Sequence, residues 1–144
     1  MVDVGEKKVS ERFALAQTII ELPLEVANEI KTTGLSTPKG TIFEIATIAG
    51  TQAAKKTSDL IPLCHVIPLD SVKLDLQFDG NTNRITIQCQ AKATHKTGVE
   101  MEALIGSSIA ALTVYDMCKA LSHDIVIGET KLIKKTGGRS DFSR

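Results

Sequence analysis

Residues 71–93, SVKLDLQFDGNTNRITIQCQAKA, alternate apolar and polar side chains on both sides of a turn, and no other pattern constrains the fold as strongly. Val72, Leu74, Leu76 and Phe78 interleave with Lys73, Asp75, Gln77 and Asp79. Beyond GNTN, Ile85, Ile87, Cys89, Ala91 and Ala93 resume the same rhythm. Successive side chains of a strand point to opposite faces, so this is an antiparallel hairpin with one dry face and one wet face. The dry face must be covered, and candidates lie on either side. GTIFEIATIAGTQAAKK (40–56) spaces Ile42, Ile45, Ala46, Ala49 and Ala53 by threes and fours, which predicts a helix weakened at Gly50 by about 1 kcal/mol relative to Ala. VEMEALIGSSIAALTVYDMCKALS (99–122) predicts a long apolar helix whose Ala, Ser and Gly imply close approach of a neighbouring element.

RFALAQTIIEL (12–22) reads as a further strand, PLEVANEI as a short helix with Pro23 at its first position and its end near Gly34, and IVIGETKLIKK as the last strand. A single strand, a hairpin and a late single strand with helices between them predict an α+β sandwich, an antiparallel sheet covered by helices on one face. A chain of 144 residues is long enough to bury one core, and no repeat or linker divides it, so residues 1–144 read as a single domain. Without Trp, and with one Tyr and four Phe, that core is aliphatic.

Lys plus Arg and Asp plus Glu number 17 each, which argues against the global positive field of a nucleic-acid-binding protein and leaves anions to a local basic cluster. Cys64, Cys89 and Cys118 are odd in number and dispersed, offering neither a disulfide framework nor a C-x-x-C zinc pair. No run approaches the roughly 18 apolar residues of a membrane span, and the charged start MVDVGEKKVSERF has no apolar signal core. A cytoplasmic protein with no membrane partner is the expectation.

Four groups of residues could carry chemistry. SDLIPLCHVIPLDS (58–71) brackets Cys64 and His65 with Pro62 and Pro68, which remove backbone donors and predict a shaped, partly buried turn rather than a central strand. Asp116 and Lys119 share a helix face at i and i+3; a surface ion pair is the ordinary reading, but Val114, Met117, Cys118, Ala120 and Leu121 favour partial burial and hence a proton-transfer couple. Glu100 and Glu102 stand in a first helical turn, where free N–H groups favour negative charge, yet on roughly opposite faces, so one of them looks inward or toward a partner. Among the lysines Lys39, Lys55, Lys56, Lys134 and Lys135, and with Arg139, the stretches TPKG and KKTGGRS combine a close-approach glycine with a cation that suits phosphate. His95 and His123 carry no assigned role, and no two histidines stand at metal-ligand spacing.

GTQAAKKTSDLIPLCHVIPL, KTGVEMEALIGSSIAALTVYDMCKAL and VIGETKLIKKTGGRS closely resemble the molybdenum-cofactor biosynthesis protein C family, the cyclic pyranopterin monophosphate synthases, and the likeness runs from MVDV to GGRSDF. The resemblance implies a ferredoxin-like α+β fold and a dimer that assembles further into a hexamer, a trimer of dimers, with the site at the dimer interface. It implies a lyase that converts the cyclised GTP intermediate, supplied by a radical-SAM partner, to cyclic pyranopterin monophosphate with release of pyrophosphate. By that similarity Leu63, Cys64, His65, Met101 and Glu102 line the substrate pocket. Asp116 is the acid/base, Lys119 and Lys39 are its partners, and Glu100, Lys55 and Lys135 lie nearby, with Arg139 among the cations that suit phosphate. No resident metal or cofactor is expected, and the place of Mg²⁺ beside the triphosphate stays open.

Two other classes compete with the lyase: a nucleotide-binding module without chemistry, which would not need the Asp116/Lys119 couple, and a metal-dependent phosphohydrolase, which would need clustered carboxylates or histidines. Glu102 and Asp116 are 14 positions apart, about 21 Å along one helix and within about 40° of one face. If both serve the chemistry, either an elongated substrate spans them or a second protomer brings its helix alongside in the opposite sense, which the small residues Gly106, Ser107 and Ala110 would permit; the family resemblance favours the second protomer.

Overall fold

The computed structural model describes residues 1–144. Strand β1 (Ser10–Glu21) is the centre of the main sheet. It pairs with β5 (Arg84–His95) in unbroken antiparallel register from Ser10 opposite His95 to Glu21 opposite Arg84. β4 (Ser71–Asp79) closes the predicted hairpin on β5, and β6 (Val126–Thr136) flanks β1 on the other side with register shifts at Leu15/Ala16 and Thr18/Ile20. A two-residue strand, β7 (Phe142–Ser143), ends the order β4-β5-β1-β6-β7. With helical segments after β1 and after β5, this is a ferredoxin-like α+β sheet with helices on one face.

Helix α1 (Leu24–Thr33) follows Pro23 and ends at Gly34, whose φ of 65° lets its N–H reach the Ile30 carbonyl. A small hairpin, β2 (Ser36–Thr37) and β3 (Gly40–Thr41), carries the TPKG stretch and leads into α2 (Ile42–Lys55) and the single turn α3 (Thr57–Leu60). These short pairings lack a periodic signal in the sequence. Helix α4 (Glu100–Cys118) is the predicted long apolar helix. None of the helices is long and apolar enough to cross a membrane.

The covered face is graded along its length. At one end Ile20, Ile85, Ile87, Val26, Ile30, Ile42 and Val114 pack together, a large-aliphatic core. At the other, Ala14, Ala16, Ala91, Ala93, Val99 and Ala103 form a cluster of small side chains beneath the start of α4. Between them Thr18 lies buried and hydrogen-bonds the hydroxyls of Ser107 and Thr130 at 3.0 Å each, so the polar atoms beneath the helix are satisfied.

Gly50 is not merely a weak point of α2. A Cβ there would fall 2.5 Å from Leu74 Cδ2 and 2.6 Å from the Gly106 carbonyl oxygen, so glycine is what lets α2 and α4 touch. Gly106, Ser107 and Ala110 are likewise buried against α2, β5 and β1 of the same chain, which corrects the expectation that they admit a second protomer's helix. The outward stripe of α4 is instead Ile105, Ser108, Ile109 and Leu112, the last 53% exposed.

Candidate active site

The chain between α3 and β4 has no regular secondary structure, as the two prolines require. It is tied at both ends: the Cys64 N–H donates to the Ile61 carbonyl at 3.1 Å, and the Asp70 N–H donates to the Lys92 carbonyl at 2.9 Å. Leu63, Cys64 and His65 are thereby brought against Glu100, Met101 and Glu102 of the first turn of α4, around a pocket of about 340 Å³.

The two glutamates have different surroundings. Glu102 is 3% exposed and forms none of the chain's ion pairs. Burial, and secondarily the charge of Glu100, push its carboxyl above the ordinary range against the pull of its own backbone N–H. Glu100 is half-buried and pairs with Lys135 Nζ at 3.1 Å. A carboxyl held toward the neutral form, with a second carboxyl engaged by a lysine beside it, suits proton donation within one pocket.

Cys64 is pushed toward the thiol by burial and then by the charge of Glu102. His65 Nε2 lies 2.7 Å from the Val2 carbonyl oxygen. A carbonyl only accepts, so Nε2 carries the hydrogen, and in the neutral ring Nδ1 is left as an acceptor.

Through Thr97, Gly98 and Glu100 this pocket shares a wall with a larger cleft of about 620 Å³. Lys7, Lys8, Arg12, Lys96, Lys135 and Arg139 line the cleft, against Glu100 as the one carboxylate. Arg12 is its best-built member. It is 9% exposed, donates from Nε to the His95 carbonyl at 3.0 Å and from Nη2 to the Lys96 carbonyl at 3.2 Å, and has no carboxylate partner. It thus fastens the junction that leads from β5 into the first turn of α4, while leaving Nη1 without a protein acceptor. Gly137, at φ 84°, lies so close to the Glu11 carbonyl that any side chain there would collide, which brings the TGGR turn over Arg12.

Asp116, Lys119 and Lys39 gather at the far end of α4. Lys119 Nζ is 2.7 Å from Asp116 Oδ1, and Lys39 Nζ, carried on the β2–β3 hairpin, is 2.9 Å from Oδ2. The expected partial burial is wrong: Asp116 is 54% and Lys119 50% exposed at the side chain. Val114, Met117 and Cys118 do go into the core, but Asp116 follows exposed Leu112 by one helical turn on the outer stripe. Hydrogen bonds from Lys119 and then Lys39 hold the Asp116 carboxyl down to about 2, and Asp116 in turn raises the Lys119 ammonium. Within one chain these form an exposed ion triad.

The predicted residues therefore fall into distinct places. The LCH turn and Glu100, Met101 and Glu102 converge; Lys135 and Arg139 join them through the cleft; Asp116, Lys119 and Lys39 stand at the other end of the helix. Lys55 faces a separate groove beside Pro68 and Asp70. Lys7, Lys8, Arg12 and Lys96 escaped the sequence reading. Arg12 had a signal, since it shares the phase of Ala14, Ala16, Thr18 and Ile20, a charge at a core position of the strand.

A family model described as the MoaC family matches residues 1–138. A cyclic pyranopterin monophosphate synthase of Xanthomonas campestris pv. campestris (strain B100) is 50% identical over 142 residues, covering 99% of this chain and 86% of that protein. One of Xanthomonas axonopodis pv. citri (strain 306) is 49% identical over the same shares. A molybdenum cofactor biosynthesis bifunctional protein of Synechocystis sp. is 46% identical over 147 residues, spanning 100% of this chain and 42% of that longer protein. A likeness of this extent and degree means that the chain belongs to the MoaC family.

Proposed function

We propose that the chain is a cyclic pyranopterin monophosphate synthase, a lyase of molybdenum cofactor biosynthesis. It converts the 3',8-cyclised GTP intermediate to cyclic pyranopterin monophosphate and releases pyrophosphate. The observation that carries the reading is near-full-length identity to proteins of that name. The geometry suits the chemistry. Rebuilding a purine-derived ring needs proton transfers, for which Glu102, Glu100 and His65 lie around one pocket. Closing a cyclic phosphate cleaves a P–O bond and expels pyrophosphate, whose charge the adjoining cations Lys135, Arg139, Arg12 and Lys96 would hold.

In this reading the ring system occupies the LCH pocket and the phosphate chain the basic cleft. Asp116, with Lys119 and Lys39 beside it, is about 21 Å along α4 from Glu102, too far for one compact site in a single chain. A partner protomer with its helix antiparallel would deliver them. Lys39 and Lys119 then act with Asp116 as the acid/base set on the substrate, in a dimer that assembles as a trimer of dimers. Lys55 faces its own groove, which meets the pocket at Ile67. The substrate comes from a radical-SAM cyclase acting on GTP in the cytoplasm, and no resident cofactor takes part beyond any Mg²⁺ that accompanies the triphosphate.

The test is to supply the cyclised GTP intermediate and follow pyrophosphate release and pterin formation together. Both are expected at equal rates, and folded protein that yields neither overturns the assignment.

A further inference from the structure

The N-terminal arm, residues 1–9, lies outside the sheet, and Val2 is 74% and Val9 57% exposed. Two hydrogen bonds fasten it to the site: His65 Nε2 donates to the Val2 carbonyl at 2.7 Å, and Lys96 Nζ donates to the Gly5 carbonyl at 2.6 Å. Both donors belong to the site rather than to the fold, His65 to the pocket and Lys96 to the cleft. The arm in turn contributes Lys7 and Lys8 to the cleft wall, and neither has a carboxylate partner.

We propose that residues 2–8 form a strap over the phosphate chain of the ligand, in which Lys7 and Lys8 are phosphate-binding residues and His65 and Lys96 are the latches. The proposal rests on the reading that phosphates occupy this cleft. Six cations facing one carboxylate, itself paired with Lys135, leave the cleft short of negative charge. A bound polyphosphate supplies that charge and draws the flexible lysines of the arm inward, where ammonium groups bind phosphate oxygens with charge-assisted hydrogen bonds. The strap also crosses from cleft to pocket. Its contact with His65 means that filling the phosphate half changes what the imidazole in the other half is bonded to. Release of pyrophosphate would then loosen the strap and open the way out for the cyclic product.

The test uses inorganic pyrophosphate as the probe and cleavage after Glu6 by a glutamate-specific protease as the reporter of arm position. The next glutamate, Glu11, is paired in β1 with Thr94 and is protected by the fold. Saturating pyrophosphate is expected to slow cleavage after Glu6 about tenfold in the wild-type chain and not in the Lys7→Ala/Lys8→Ala double variant. Lys96→Met, which removes a latch, speeds that cleavage when pyrophosphate is absent. In turnover the double variant raises KM for the triphosphate substrate and the inhibition constant of pyrophosphate together, about tenfold, and lowers kcat by less. Cleavage that ignores pyrophosphate in the wild-type chain, or a double variant with both constants unchanged, overturns the strap. A wild-type chain that makes no pyrophosphate from the cyclised nucleotide overturns the reaction assigned above instead, since protection of Glu6 by added pyrophosphate does not depend on turnover.

Discussion

Glu102 and Asp116 are both carboxyls on one helix, and their surroundings drive them in opposite directions. Glu102 binds its proton more tightly in the folded chain than in the unfolded one, because burial disfavours its charge. Stability attached to this group is therefore present in full below the ordinary carboxyl value of 4.5 and is lost as pH rises through the higher folded value. Glu102→Gln, which cannot ionise, should melt at a higher temperature than wild type near neutral pH and at the same temperature below about pH 4, where both states bind the proton. Equal melting curves at neutral pH would mean that the carboxyl is solvated or paired. Asp116, depressed to about 2 by its lysines, stays ionised through that whole range, and its contribution to stability is lost only as pH falls from the unfolded carboxyl value through about 2. Since the triad is exposed, Asp116→Asn and Lys119→Ala should lower the melting temperature only slightly at neutral pH while abolishing turnover. Robust turnover by either variant removes that residue from the chemistry.

Among the elements, the α2–α4 contact decides where the first turn of α4 and its glutamates lie. Propensity alone makes Gly50→Ala favourable by about 1 kcal/mol in a helix. Its new methyl would meet the Gly106 carbonyl, which is backbone and cannot rotate away, as well as Leu74. Overpacking of this kind costs about 1–3 kcal/mol, so the variant should lose stability, read as a lower urea midpoint at unchanged slope. A higher midpoint would show that the helices separate at no cost. The same contact shows how a helix legible from its spacing can hold a residue that only its neighbour explains.

At the scale of the whole molecule, Glu102 and Asp116 occupy opposite ends of α4, and under the proposed function a site drawn from both needs a second chain. Mixing inactive Glu102→Gln and Asp116→Asn variants under conditions of subunit exchange should restore activity toward about a quarter of wild type. Random pairing makes half of the dimers mixed, and each mixed dimer holds one site with neither lesion. Continued inactivity despite proven exchange would mean that each chain supplies both residues to its own site.

Most of the framework was legible in the sequence because it is local and periodic. The alternation of 71–93, the three-and-four spacing of α2 and the apolar run of α4 each name an element, and their order names the antiparallel sheet with helices on one face. The LCH turn and the two glutamates were readable as unusual residues in unusual places, and the likeness to a known family tied them to one pocket. Packing decided the rest. Whether Asp116 is buried depends on which side of α4 meets the sheet, and an apolar helix leaves that undetermined until the sheet and α2 have taken their sides. Gly106 and Ala110 were spoken for by α2, not by another chain. The basic cleft joins residues from the arm, the start of β1, the end of β5 and the end of β6, more than 130 positions apart, and no spacing rule spans such distances. Sheet register brings Arg12 near the turn at Gly137, and the N-terminal arm and that turn complete the set of six cations around one carboxylate.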